Sequence, residues 1–195
     1  MDITGLIVAG GRGSRMGSVD KGLQVFRGAS LIQHVMQRFA PQVQTLLINA
    51  NQNLDIYEGF GVPILPDAIL GFAGPLAGLQ TGLIHSTTPY LAMVPCDSPF
   101  LPNDLVQRLR TGLEEGAADL SVVITGDVLR HQVHPVFCLM KATVLPELTS
   151  FLQSGERKMQ DWIASLNIAK VHFPDDAAFR NINTLDDLRN FEAPQ

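Results

Sequence analysis

Cysteine is scarce: Cys96 and Cys138 are the only two in 195 residues. Neither sits in a C-x-x-C pair, so no disulfide scaffold is encoded, and both read as reduced thiols of a cytosolic protein. No uninterrupted apolar run approaches the length needed to cross a membrane. The start, Met1-Asp2-Ile3-Thr4-Gly5, lacks the basic flank and apolar stretch of a signal peptide. A cytoplasmic protein without membrane contact is therefore expected. Excess positive charge is missing too, since 14 lysines and arginines face 19 acids. A net charge of −5 argues against a general nucleic-acid surface. Linkers, repeats and low-complexity segments are absent, and residues 1–195 are read as a single domain. No Ser-His-Asp or Cys-His arrangement stands out. His131 and His134 have no partners at metal-ligand spacing and read as structural, as Trp162 reads as core.

What the chain does have is concentrated near its start. An apolar run, Leu6-Ile7-Val8-Ala9, passes without a polar spacer into Gly10-Gly11-Arg12-Gly13-Ser14-Arg15. Glycines there let the backbone turn sharply and approach a ligand closely. Arg12, Arg15, Lys21 and Arg27 face only Asp20 nearby, and an acidic protein with one basic mouth suits a small anion. A strand ending in such a loop forms an anion-binding concavity of backbone N–H groups. It is not a dinucleotide fingerprint, because Met16 stands at the third glycine position and Ile48-Asn49-Ala50-Asn51 offers no ribose carboxylate. Nor is it a P-loop, because Lys21 lies between Asp20 and Gly22.

Further along, apolar strands and amphipathic helices alternate. Strands are expected at Thr45–Asn49, Val62–Asp67, Tyr90–Val94, Leu120–Ile124, Val136–Leu139 and Ile168–Phe173. Helices are expected from Ser30 to before Pro41, from Gly74 through Ile84, and from Asp104 to Gly116. Others should cover 145–152 and 159–166, with a terminal helix from Thr184. Such alternation gives an α/β fold, a mostly parallel sheet with helices on both faces. Ligands of these folds bind at the carboxyl ends of the strands. Asn49, Asp67 and Asp97 each follow an apolar strand, so they should converge with the glycine loop. Asp97, bracketed by Pro95 and Pro99, is a suitable hard ligand for Mg²⁺ beside phosphate oxygens.

The spacing A-G-G-x-x-x-R-M-G-x-x-D-K, from Ala9 to Lys21, resembles the signature loop of nucleotidyltransferases that use free NTPs. Gly74-Pro75-Leu76-Ala77-Gly78 resembles the molybdenum cofactor guanylyltransferase family more narrowly, as do His134-Pro135, Gly155–Lys158 and Asn181–Thr184. That resemblance implies a Rossmann-like nucleotidyltransferase domain with GTP and molybdopterin as substrates. It further implies nucleotide contacts from Val8, Ala9, Gly10, Lys21, Asn49, Asp67 and Asp97. Arg15, Lys21 and Asp97 would take part in transfer, with Mg²⁺ on Asp97. Arg157 and Lys158 fit either the anionic pterin or a solvated helix start. A monomer is expected, in transient contact with cofactor-biosynthesis proteins and apo-molybdoenzymes. A pterin cytidylyltransferase, another NTP:phosphate nucleotidyltransferase and a non-catalytic nucleotide-binding module are the alternatives.

Overall fold

Strand β1 (Ile3–Val8) is buried along most of its length and points alternate side chains into two different cores. The computed structural model describes residues 2–9, 20–69, 74–127, 130–183 and 187. After β1 come a small hairpin, β2 (Val25–Phe26) and β3 (Ala29–Ser30), then α1 (Leu31–Phe39) and β4 (Thr45–Asn49). Next are α2 (Leu54–Glu58), β5 (Ile64–Leu65), α3 (Pro75–His85), β6 (Tyr90–Pro95) and α4 (Leu105–Glu115). The described chain continues through β7 (Leu120–Asp127), β8 (Arg130–Lys141), α5 (Leu145–Gln153), α6 (Met159–Ala164) and β9 (Ile168–His172).

Seven strands form one sheet in the order β5-β4-β1-β6-β8-β7-β9. Every neighbouring pair is parallel except the two that β8 makes, with β6 and β7. Ile3 and Ile7 of β1 pack with Ile32, Val35 and Phe39 of α1 and with Leu105 and Leu109 of α4. Leu6 packs on the other face with Leu76, Leu79 and Leu83 of α3, Leu148 of α5 and Trp162 of α6. Each fully buried leucine or isoleucine contributes about 1.5–3 kcal/mol. The sheet is thus dry on both sides, as a mostly parallel sheet requires.

Local signals set the helix ends. The Ser30 N–H donates to Gln33 Oε1 at 2.9 Å, one half of a capping box at the start of α1. Gly116 closes α4. Gly74 starts α3 at φ +74°, a conformation that favours glycine.

Three expectations are adjusted. β5 covers only Ile64–Leu65, because Pro63 and Pro66 flank it, and it sits at the sheet edge where prolines are tolerated. β8 begins at Arg130 and not near Val136, its polar first half pairing with β7 down to Asp127–Arg130. α2 and the β2–β3 hairpin are additional elements. The terminal helix expected from Thr184 lies outside the described residues. Among the described residues no helix is long and apolar enough to cross a membrane.

Candidate active site

From β1 the chain moves outward to β4 and β5, then returns to β6 on the other side of β1. That reversal is a topological switch point, and it opens a crevice at the carboxyl ends of β1, β4 and β6. Backbone bonds fuse these ends into one floor. Ala9 N–H donates to Asn49 O at 2.8 Å, and Cys96 N–H donates to Val8 O at 3.2 Å. Val8 and Ala9 therefore lie in the crevice floor, with the Ala9 N–H engaged within the sheet. Gly10 and Arg15, the other expected loop contacts, lie outside the described residues.

On the β4 side, Asn49 and Asp67 meet directly. Asn49 Nδ2 donates to Asp67 Oδ1 at 2.8 Å and to Leu65 O at 3.0 Å. Asn51 Nδ2 donates to Asp67 Oδ2 at 2.9 Å, and Asn51 Oδ1 accepts from the Asp67 N–H at 2.8 Å. Both Asp67 oxygens are thus held by amides, which fixes the carboxylate as a wall of the crevice. The second glycine of G-P-L-A-G explains itself here. A Cβ on Gly78 would lie 2.2 Å from Asn49 Oδ1, so only glycine lets α3 pass this close.

On the β6 side, Asp97 is buried beside Lys21. Lys21 Nζ lies 3.6 Å from Asp97 Oδ2 and donates to Asn183 Oδ1 at 2.7 Å. Burial raises the Asp97 carboxyl above the usual carboxylate range, against the opposing pull of the Lys21 ammonium. Asp97 Oδ1 is buried with no hydrogen-bond partner among the described residues. An orphaned buried carboxylate oxygen wants a cation. Among the described residues no three His, Cys, Asp or Glu side chains cluster as a metal cage. The donor set therefore suits an ion that completes its shell with phosphate and water.

The strip 181–183 runs alongside. Ile182 N–H donates to Asp97 O at 2.8 Å, and Ser98 Oγ donates to Asn181 Oδ1 at 2.7 Å. Ile182 is fully buried between Phe26 and Leu31, which anchors the strip. Asn181 and Asn183 share one side with Gln132, His134, Phe179 and Arg180, around a cavity of about 520 Å³. His134 pairs with Thr125 Oγ1 at 2.8 Å, and burial lowers its basicity, partly offset by Asp176. Arg157 Nη1 donates to Leu152 O at 2.7 Å, so it caps the last turn of α5. Trp162 is core, as expected.

The sequence reading missed Asn183 as the partner of Lys21. Asn183 lies in the Asn181–Thr184 motif, but nothing in the sequence pairs it with Lys21, because the contact joins residues 162 positions apart. It also missed Asn53 and Tyr57, which bind the Asp20 carboxylate.

Residues 5–171 match the family model of the MobA-like NTP transferase domain. A molybdenum cofactor guanylyltransferase of Cupriavidus necator is 54% identical over 98% of this chain and 96% of its own length. One of Ralstonia nicotianae is also 54% identical, over 96% and 95%. Among solved structures, molybdopterin-guanine dinucleotide biosynthesis protein A of Archaeoglobus fulgidus superposes with a TM-score of 0.76 at 21% identity, covering 97% of this chain and 96% of that one. The 4-diphosphocytidyl-2C-methyl-D-erythritolsynthase of Anaerococcus prevotii reaches 0.78 at 10% identity, over 96% and 95%. At those identities the structural likeness is one of fold. The sequence matches go further, and with them the chain belongs to the MobA-like NTP transferase family, alongside the molybdenum cofactor guanylyltransferases.

Proposed function

We propose that this protein transfers a guanylyl group from GTP to the terminal phosphate of molybdopterin, releasing pyrophosphate. One observation carries the reading: at the sheet's switch point Lys21 Nζ lies 3.6 Å from Asp97 Oδ2, while the buried Asp97 Oδ1 has no hydrogen-bond partner among the described residues. The relatives' names supply the guanine and the pterin.

The acceptor phosphate is already an anionic nucleophile, so the protein needs to position and neutralise charge more than to remove a proton. Lys21 supplies a point charge for the departing pyrophosphate, and Arg15 is assigned the same task from the signature loop. Val8 and Ala9 form the floor under the nucleotide, Gly10 is assigned a nucleotide contact from the signature loop, and Asn49 and Asp67 form the wall that orients its ribose or base. The cavity beyond Asn183 is open to the acceptor. Asp97 would hold Mg²⁺, whose charge, when bound, makes the α-phosphorus more electrophilic. The reading takes residues 1–195 as one domain acting as a cytoplasmic monomer, passing its product to apo-molybdoenzymes.

Pyrophosphate release from each NTP, with and without molybdopterin, tests this. Release is expected with GTP only when the pterin is present. Release with CTP and not GTP would make the protein a cytidylyltransferase. Binding without release from any NTP would make it a nucleotide-binding module.

A further inference from the structure

Asp20 is 6% exposed, yet its two described donors are neutral. Tyr57 Oη donates to Oδ1 at 2.7 Å, and Asn53 Nδ2 donates to Oδ2 at 3.0 Å. Burying a carboxylate is costly unless its oxygens are satisfied, so these two bonds fix where Asp20 can sit. Both donors come from the start of α2, Asn53 as the residue before it and Tyr57 one turn on, whose N–H donates to Asn53 O at 3.2 Å. Asn53 adopts φ +53° at the start of that helix, a conformation that asparagine tolerates better than most residues. Tyr57 is fully buried, and burial holds its phenol well above its usual range, so it remains a donor.

The same turn is gripped a second time. The Asp20 carbonyl accepts from Leu23 N–H at 3.3 Å and from Gln24 Nε2 at 3.2 Å, which starts the tight turn Lys21–Leu23. Within it, a Cβ on Gly22 would lie 2.7 Å from Tyr57 Oη and 3.3 Å from Cys96. Glycine there lets the turn rest directly on the tyrosine hydroxyl. Lys21, between these two gripped residues, extends to Asn183 and Asp97. Helix α2 buries Tyr57 fully and packs Leu54 against the same core, so the tyrosine ring is anchored while its hydroxyl reaches Asp20.

We propose that Tyr57 and Asn53 are positioning residues, acting through the buried Asp20 carboxylate to aim Lys21 at the transfer site. The inference rests on the guanylyl-transfer reading only for its turnover measurement. Nucleotide binding tests it independently.

Tyr57→Phe removes one donor and keeps the ring, and Asn53→Gly removes the other and keeps the left-handed backbone. Each is made alone and combined with Lys21→Ala. Binding of the fluorescent nucleotide mant-GTP, kcat and KM for GTP, and the melting temperature are measured for all. Each single variant should still melt cooperatively and bind the nucleotide about ten-fold more weakly. In the Lys21→Ala background the same changes should alter binding by less than about two-fold, because the lysine they aim is gone. Equal weakening in both backgrounds would overturn the proposal, since a merely structural role is additive. If Tyr57→Phe does not fold, Asn53→Gly decides by the same comparison. A parent protein that binds mant-GTP but releases no pyrophosphate, with the non-additivity intact, overturns the transfer reading and supports the clamp. Normal turnover with additive effects does the reverse.

Discussion

Asp97 ionises against its surroundings, and this has a sign that can be measured. Burial raises its folded-state pKa above the ordinary carboxylate value, so the folded protein takes up the proton before the unfolded chain does. Between the two pKa values stability then falls as pH rises, and above the folded value the full cost of the charge is present. Asp97→Asn, with no charge to bury, should therefore melt at or above the parent's temperature at neutral pH, with the gap closing in acid below the ordinary aspartate pKa. The same variant should lose turnover by about 10²-fold or more, as expected when a group acting on transition-state charge is removed. Calorimetry across pH beside pyrophosphate assays checks both halves, and an Asp97→Asn protein that turns over normally would remove the metal assignment. Lys21→Ala acts in the opposite direction on the same carboxyl. Lys21 holds that pKa down, so its loss should move the acid limb of the residual pH–rate profile upward while turnover falls by a similar factor.

Whole elements were legible in the sequence where periodicity ran long enough, and the site was legible where a residue ended such an element. α1 repeats buried apolar residues at Leu31, Ile32, Val35 and Phe39 and α4 at Leu105, Leu109 and Leu113, and their bounds follow Ser30 and Gly116 closely. Asn49 and Asp97 were readable as strand ends for the same reason. α2 was not readable, because a five-residue helix that buries one tyrosine has no period to detect. β8 was half hidden because Arg130, His131 and Gln132 are exposed and polar, and only their pairing with β7 makes them strand. Helix α3 carries a prediction of its own. Its glycines are packing surfaces, Gly78 against Asn49 and Gly82 against Leu6, whose Cδ2 would lie 2.6 Å from an added Cβ. Gly78→Ala should displace Asn49 from Asp67 and cost about 1–3 kcal/mol, as overpacking does. It should also weaken nucleotide binding. Gly82→Ala should cost stability in the same range and leave binding nearly unchanged, since Leu6 belongs to the core. Denaturant melts and nucleotide titrations of the pair separate these outcomes.

At the scale of the molecule, strand order was the feature that the sequence withheld. Alternation of strands and helices implies a parallel sheet, but pairing order depends on contacts far apart in the chain. The antiparallel β8 emerges only once β7 and β8 are seen to run within two residues of each other, a link too short for a parallel crossover. That order matters because it puts β1 between β4 and β6 and so gathers Ala9, Asn49 and Asp97 at one edge. A crevice assembled from separate strand ends and the 181–183 strip has a consequence for the whole fold. A ligand that binds only the assembled form stabilises every element at once. GTP at about 100 times its dissociation constant should add about 2.7 kcal/mol. For a chain of this size that is a rise in melting temperature of roughly 5–11 °C. The shift should be larger with Mg²⁺ than with EDTA, smaller for the other NTPs, and strongly reduced in Lys21→Ala. Thermal melts with each nucleotide, with and without the metal, measure all of these together. Equal shifts from GTP and CTP would leave guanine selectivity without a basis in this crevice. A shift in Lys21→Ala equal to the parent's would mean that the nucleotide binds away from β1, β4 and β6, and the assignment of this edge as the active site would fall with it.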